Sequence, residues 1–371
     1  MESTETAVGR HPYLRCKNTA VKGAPAACGK PAQTPVFAPF NDAFMTIAVR
    51  ANRPLAAAMP QRPRSLRRLD RPVTFHAERL TFASHGGDRR ETLFRESAFE
   101  RVERWALAFA WATSPKRVAG LPGLMRMIAR EALAPDYALP DPERALLSPP
   151  GLAGIAHDLS LPRLMDAYAR GLYPLSHAGP MKWWSPPQRS VLFFDEFHMS
   201  NNLRRLMRQG RYSVTFDRDF EAVIRACAGR RAGRWHLTWI TPRIMRAYAE
   251  AFDAGHAHCF EVWNKDGELV AGGYGLGTGA AFSFESQFAH EANASKIGMS
   301  VLNWHLAHWG YRFNDGKLIG PLWASVGFRE IPRSEFLARL ADAVRLPGKT
   351  GRWQMEADLA TISQWQPAAA H

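Results

Sequence analysis

Residues 255–315 leave this chain little freedom of fold. CFEVW (259–263), LVAGGYG (269–275) and AAFSFES (280–286) are three strand-like runs, with short Gly-containing turns at 265–267 and 277–279 between them. Connections that short join antiparallel neighbours, because parallel strands need a crossover of a dozen or more residues. A helix is predicted over 294–309, and YRFND (311–315) reads as the next strand. The pattern predicts an α+β chain with a central mixed sheet.

The chain has 371 residues, enough for one large domain or two ordinary ones, and 46% hydrophobic residues, as in a globular protein. No apolar run approaches the ~20 residues that span a bilayer. WALAFAWA (105–112) is the longest conspicuous one and reads as a buried helix face. No secretory signal is legible at the N-terminus. Cys16, Cys28, Cys227 and Cys259 are widely spaced with no C-x-x-C, so neither a zinc site nor a disulfide framework is indicated, and a reducing, cytoplasmic compartment is expected. His256 and His258 lack further recognisable metal ligands and read as a helix-to-strand loop. The formal charge is +14. Residues 1–146 carry 23 Lys and Arg against 14 Asp and Glu, so most of the excess lies there, densest in QRPRSLRRLDRP (61–72). Such a balance suits a polyanion, but an Arg-rich run is also the mark of a solvated, disordered arm.

Punctuation suggests five segments. Residues 1–72 read as a basic, disordered arm and 73–139 as a helical extension. Residues 140–195 read as a small domain, 196–348 as the catalytic domain and 349–371 as a tail. Within the extension, Phe94, Ala98, Val102, Trp105 and Phe109 form a helical stripe over 89–114, and 121–133 reads as a second helix. Residues 160–176 open on a Ser N-cap signal, with Leu164, Ala167, Tyr168 and Leu172 on one face.

Four groups of residues bear chemistry. KWWSPPQR (182–189) makes a rigid aromatic corner of Trp183 and Trp184, suited to stacking on unpaired bases or to fixing a loop. In LTWITP (237–242), Thr241 and Pro242 start a helix and set Trp239 on the loop before it, held yet exposed. In SNNLRRLMRQGRY (200–212), Arg204, Arg205, Arg208 and Arg211 stud a helix anchored by Leu203, Leu206 and Met207, either a phosphate-facing stripe or a solvated face. Glu285 ends the third strand, and Asp315 and Lys317 lie two apart; an extended backbone would point both the same way and gather one charged cluster.

Five blocks recur in a telling order: GLYPLSHAGPMKWWSPPQRSVL (171–192), LTWITPRIMRAY (237–248), GHAHCFEVW (255–263), FESQFAHEANASKIG (284–298) and ASVGFREIPRSEF (324–336). Together they resemble the leucyl/phenylalanyl-tRNA–protein transferases, from about residue 141 to about 348. The resemblance implies an acetyltransferase-like (GNAT-like) core behind a small domain. It implies transfer of an amino acid from charged tRNA to the free N-terminus of a protein, with Arg or Lys as the acceptor's first residue, marking that protein for N-end-rule degradation. It implies a monomer, with no cofactor or metal beyond aminoacyl-tRNA as co-substrate, and no membrane.

The same resemblance assigns roles. Trp239, Thr238, Leu175 and Trp184 would face the aminoacyl-adenosine, although Leu175 stands where the family carries an aromatic residue. Gly273, Gln287 and Phe288 would line the side-chain pocket, Gly273 opening volume and Gln287 replacing a methionine. Asp315 would orient or deprotonate the amine. Lys317 stands where the family has glutamine and, paired with Asp315 beside Glu285, would either face the oxyanion or simply be neutralised by the two acids. The four arginines would meet the acceptor stem, and Ser295 and Lys296, at a helix start, a ribose or phosphate. Two other readings stay open: a relative that binds charged tRNA without transfer, and an acyl-CoA acyltransferase on the same core.

Overall fold

The computed structural model describes residues 86–115, 117–177, 179–230 and 236–367; the arm at 1–72 lies outside them. Three helices lead: α1 (Gly86–Leu93), α2 (Ala98–Ala112) and α3 (Leu121–Leu133). The stripe expected to run unbroken from 89 to 114 is interrupted at 94–97. Ser97 and Glu100 form a reciprocal capping box that starts α2 afresh, while Phe94 drops into the core. The apolar face of α2 points outward, with Phe99, Val102, Trp105 and Phe109 all exposed, so WALAFAWA is not a buried face.

A three-stranded sheet comes next, ordered β1-β3-β2, from β1 (Leu152–Ile155), β2 (Tyr173–Pro174) and β3 (Lys182–Trp184). Between β1 and β2 lies α4 (Leu161–Ala169), which buries Leu164, Ala167 and Tyr168 as its periodicity predicts. Ser160 stands at its N-cap, but its hydroxyl bonds Asp158 instead of the helix end.

β4 (Gln188–Leu192) belongs to the large sheet, although the sequence's punctuation groups it with the smaller domain. Then come α5 (Asn201–Arg208), β5 (Tyr212–Phe216), α6 (Phe220–Ala228) and α7 (Pro242–Asp253). Next are β6 (Ala257–Asn264), β7 (Leu269–Thr278), β8 (Ala281–Ala289), α8 (Ala294–His308) and β9 (Phe313–Lys317). The chain closes with α9 (Pro321–Ser325), β10 (Arg329–Pro332), α10 (Arg333–Ala343) and α11 (Leu359–Ile362).

The large sheet has seven strands, ordered β10-β4-β9-β8-β7-β6-β5. β6, β7 and β8 form the antiparallel meander read from the turns, and β8–β9 is the parallel pair that makes the sheet mixed. One face carries α4, α6 and α7 over Cys259, Tyr274 and Leu276; the other carries α8 over Phe260, Phe282 and Phe284. Residues 349–367 pack onto the domain: Trp353 and Ile362 are buried in the second core. Among the described residues no helix is long and apolar enough to cross a membrane.

Two features of β8 position the charged residues. It pairs with β7 as far as Ala289 but with β9 only over Ala281, Phe282 and Ser283, so β8 and β9 part at Phe284. A bulge falls where Glu285 is skipped between the pairs Gly275–Phe284 and Tyr274–Ser286. Bulges re-aim a side chain, and this one turns Glu285 toward α4 and α7.

Candidate active site

At the fork between β8 and β9 the sheet buries four charges. Asp315 is fully buried and receives both forks of Arg189, Nε and Nη2 each at 2.8 Å. Its remaining acceptor capacity takes the Ser283 hydroxyl at 3.1 Å and the Lys317 backbone N–H at 2.9 Å. Burial opposes ionisation of Asp315, but Arg189 and then Lys317 outweigh it and hold the carboxyl below the usual range. Arg189 is the member of this charged cluster that sequence reasoning misses. Its signal lies at the end of the KWWSPPQR block, since a buried arginine demands an acid.

Lys317 does not pair through its side chain with Asp315, as expected. Its backbone is left-handed, φ 63°, so the segment is not extended through 317, and its Nζ swings to Glu285 Oε1 at 2.7 Å and the Phe284 carbonyl at 2.6 Å. The ammonium thus sits in the wedge where β8 leaves β9. The two ion pairs cancel, which is how four charges tolerate a low-dielectric site.

Glu285 carries the chemistry outward. Tyr168 donates to Glu285 Oε1 at 2.6 Å, which leaves the Tyr168 oxygen to accept from Tyr248 at 2.5 Å. Burial first, and the Glu285 carboxylate second, push both phenols well above the ordinary range, so they stay protonated. Glu285 Oε2 accepts no hydrogen bond of ordinary geometry although it is buried.

The residues expected around an adenosine are gathered but hidden. Trp183, Trp184, Trp239, Tyr168 and Tyr248 share one core, with Leu175 packed against it. Trp184 donates its indole N–H to the Leu175 carbonyl at 2.8 Å, which ties the aromatic corner to β2. Trp239 is 5% exposed, so it is not the accessible platform predicted for the loop before α7. The Thr238 hydroxyl accepts from the Ile240 N–H and rigidifies that loop.

The expected pocket is partly filled. Gly273 faces Gln287 across the β7–β8 ladder, but a Cβ built on it would lie 2.7 Å from the Phe284 ring and 2.8 Å from that of Phe260. The glycine makes room for two phenylalanines and opens no volume. Phe288 belongs to the core on the opposite face. Ser295 and Lys296 begin α8, on the face of the sheet away from α4 and α7. His258 is no loop residue: it is buried in β6, bonded to Asp217 and stacked on Trp353.

The arginine stripe is divided, and Arg211 lies beyond the end of α5, after the turn at Gly210. Arg204 donates to the carbonyls of Met199, Ser363 and Trp365, and Arg208 to the Ser363 hydroxyl, so these two hold the C-terminal turn. Arg205 and Arg211 remain exposed. An open space lies elsewhere: a cleft of about 860 Å³ between residues 91–105 and the start of α7. A smaller one of about 290 Å³ shares its Phe94, Arg104 and Pro242 walls and reaches Thr238 and Ile240.

The two stretches that surround these groups match family models. Residues 157–187 match the leucyl/phenylalanyl-tRNA protein transferase N-terminal domain, and 191–341 match the leucyl/phenylalanyl-tRNA protein transferase itself. The leucyl/phenylalanyl-tRNA–protein transferase of Azotobacter vinelandii is 44% identical over 231 residues, which are 62% of this chain and 99% of that protein. This chain belongs to the leucyl/phenylalanyl-tRNA protein transferase family. The member from Anaeromyxobacter sp. is likewise 44% identical, over 60% of this chain and 94% of its own length. The family is one of enzymes. Solved structures add little: FemX shares 13% identity with a TM-score of 0.31 over 40% of this chain and 60% of its own, which assigns no fold.

Proposed function

We propose that this chain moves an amino acid from charged tRNA to the free N-terminus of an acceptor protein. Family membership supports the reaction class. One observation carries the site: the buried Glu285 carboxylate, which takes the Lys317 ammonium and the Tyr168 hydroxyl where β8 leaves β9. An incoming amine would find there a buried carboxylate as acceptor, with the two tyrosine hydroxyls beside it.

The chemistry needs no covalent enzyme intermediate and no cofactor beyond aminoacyl-tRNA, because the donor is already an activated ester. An α-amine with an ordinary pKa of ~7.7–8.0 is partly neutral near pH 7. It attacks the carbonyl carbon, the C–N bond forms, the C–O bond to the ribose breaks, and the amine's surplus proton ends on the ribose oxygen. Glu285 accepts from and orients the amine. Glu285, held by donation from Tyr248 through Tyr168, takes the amine's surplus proton and returns it to the ribose oxygen, and the Lys317 ammonium faces the oxyanion. Asp315, with its acceptors occupied, is a positioning residue. The fork of β8 and β9 in a mixed sheet supports an acetyltransferase-like core. An acceptor beginning with Arg or Lys, the N-end-rule outcome and a monomeric state rest on the family resemblance, and a cytoplasmic setting on the cysteine spacing.

One observation favours a second reading, a relative that binds charged tRNA without transfer. The Lys317 ammonium already occupies Glu285 Oε1 and the Phe284 carbonyl, as an internal amine. The test is incubation with a complete set of charged tRNAs and a peptide beginning with Arg, with and without acyl-CoA. Amide product from tRNA alone, reduced ~10²-fold or more in Glu285→Gln with tRNA binding retained, supports transfer. Binding without product supports the second reading. Product only with acyl-CoA overturns both.

A further inference from the structure

We infer that α2 and the residues just before it build one wall of an RNA-binding cleft, which takes the unpaired, phosphate-bearing end of the donor tRNA. The inference rests on tRNA as the donor. It concerns residues 91–105, which precede His157, the first residue matched by either family model.

Charge points to a polyanion. The cleft of about 860 Å³ is lined by Arg95, Arg101, Arg104, Arg243 and Arg246. Only Glu91 and Glu96 oppose them. Glu96 is taken up by Arg104 at 2.7 Å, and Arg101 lies 3.9 Å from it with a side chain 63% exposed. Arg95 and Arg246 make no side-chain hydrogen bond or ion pair among the described residues. The positive surplus is therefore open to a ligand.

An aromatic platform makes the match to unpaired RNA more specific. Trp105 lines the same cleft, 49% exposed, one turn after Arg101 on α2. Guanidinium groups on phosphates beside an indole face on a base are the means by which proteins hold single strands.

The wall is anchored. Phe94 is buried in the main core, Arg90 bridges Glu221 and Asp253, and Arg104 reaches the His177 carbonyl. The position also fits. Thr241 and Pro242 line the cleft at the start of α7, and Tyr248 on the same helix joins Tyr168 above Glu285. Six residues of helix separate Pro242 from Tyr248, about 9 Å at ~1.5 Å per residue. The α5 arginines lie on the opposite face of the sheet. The start of α7 thus ties the cleft to the helix that carries Tyr248.

The test uses the full chain and two donors: a complete charged tRNA, and a 3′-aminoacyl-adenosine without phosphodiesters. Arg95→Ala/Arg101→Ala and Trp105→Ala alter exposed side chains. Binding of the complete tRNA should weaken about fivefold to a hundredfold in Trp105→Ala. In the double arginine variant the slope of log affinity against log salt should fall by about 0.7 per lost contact. Transfer from the short donor should keep the wild-type rate. Unchanged tRNA affinity and salt slope overturn the inference, as does an equal loss with both donors. If wild type transfers from neither donor yet loses tRNA affinity on these substitutions, the cleft stands and the transfer reading falls.

Discussion

Arg189 grips Asp315 through two parallel hydrogen bonds of 2.8 Å, and both side chains are 1% exposed. Asp315→Asn would leave a buried guanidinium without its counter-charge. The expected cost is ~3–5 kcal/mol of stability, read by denaturant unfolding. A variant as stable as wild type would show that the pair is dispensable to the fold.

The same pair sets a pH dependence. Folding lowers the Asp315 pKa, the cost of burial being outweighed by Arg189 and then Lys317. A carboxyl lowered on folding stabilises above its unfolded pKa of ~3.9 and loses that contribution as pH falls through the folded value. Wild type should therefore lose stability as pH drops below about 4. Asp315→Asn should lack that part of the slope in acid titrations followed by circular dichroism.

Lys317→Gln introduces the residue type that the family resemblance implies here and frees the wedge, while leaving Glu285 without its cation. If the ammonium faces the oxyanion, the single-turnover rate should fall by up to ~10²–10³. If it only fills the place of the incoming amine, the rate should hold or rise, which would remove Lys317 from the catalytic set.

Trp239 and Gly273 test packing. Trp239→Ala should cost ~3–5 kcal/mol as a large-to-small core change, measured by thermal melting. Gly273→Ala should cost ~1–3 kcal/mol, because its Cβ meets the Phe284 and Phe260 rings. A neutral Gly273→Ala would mean that this part of the pocket is open after all.

On α5 the arginines should separate by role. Arg204→Ala should raise amide exchange across residues 363–367, since two carbonyls there lose their donor. Arg205→Ala and Arg211→Ala should leave melting unchanged. Any effect they have should be a uniform weakening of tRNA binding with a shallower salt slope.

Sequence by itself determined the meander β6–β7–β8, because turns of a few residues containing glycine allow only antiparallel neighbours. It placed α3 residue for residue and the buried face of α4, where apolar spacing follows the helical repeat. It also singled out Glu285, Asp315 and Lys317. What each of these touches was decided by tertiary structure. Arg189, 126 residues away, claims Asp315, and a left-handed turn at Lys317 sends its ammonium to Glu285. The bulge at Glu285 brings Tyr168 and Tyr248 to it, the rings of Phe260 and Phe284 fill the space over Gly273, and the apolar stripe of α2 faces outward. Periodicity says which residues share a face, not what that face meets. Long-range register and the cost of leaving a buried charge uncancelled decide the partner, and neither can be read from local spacing.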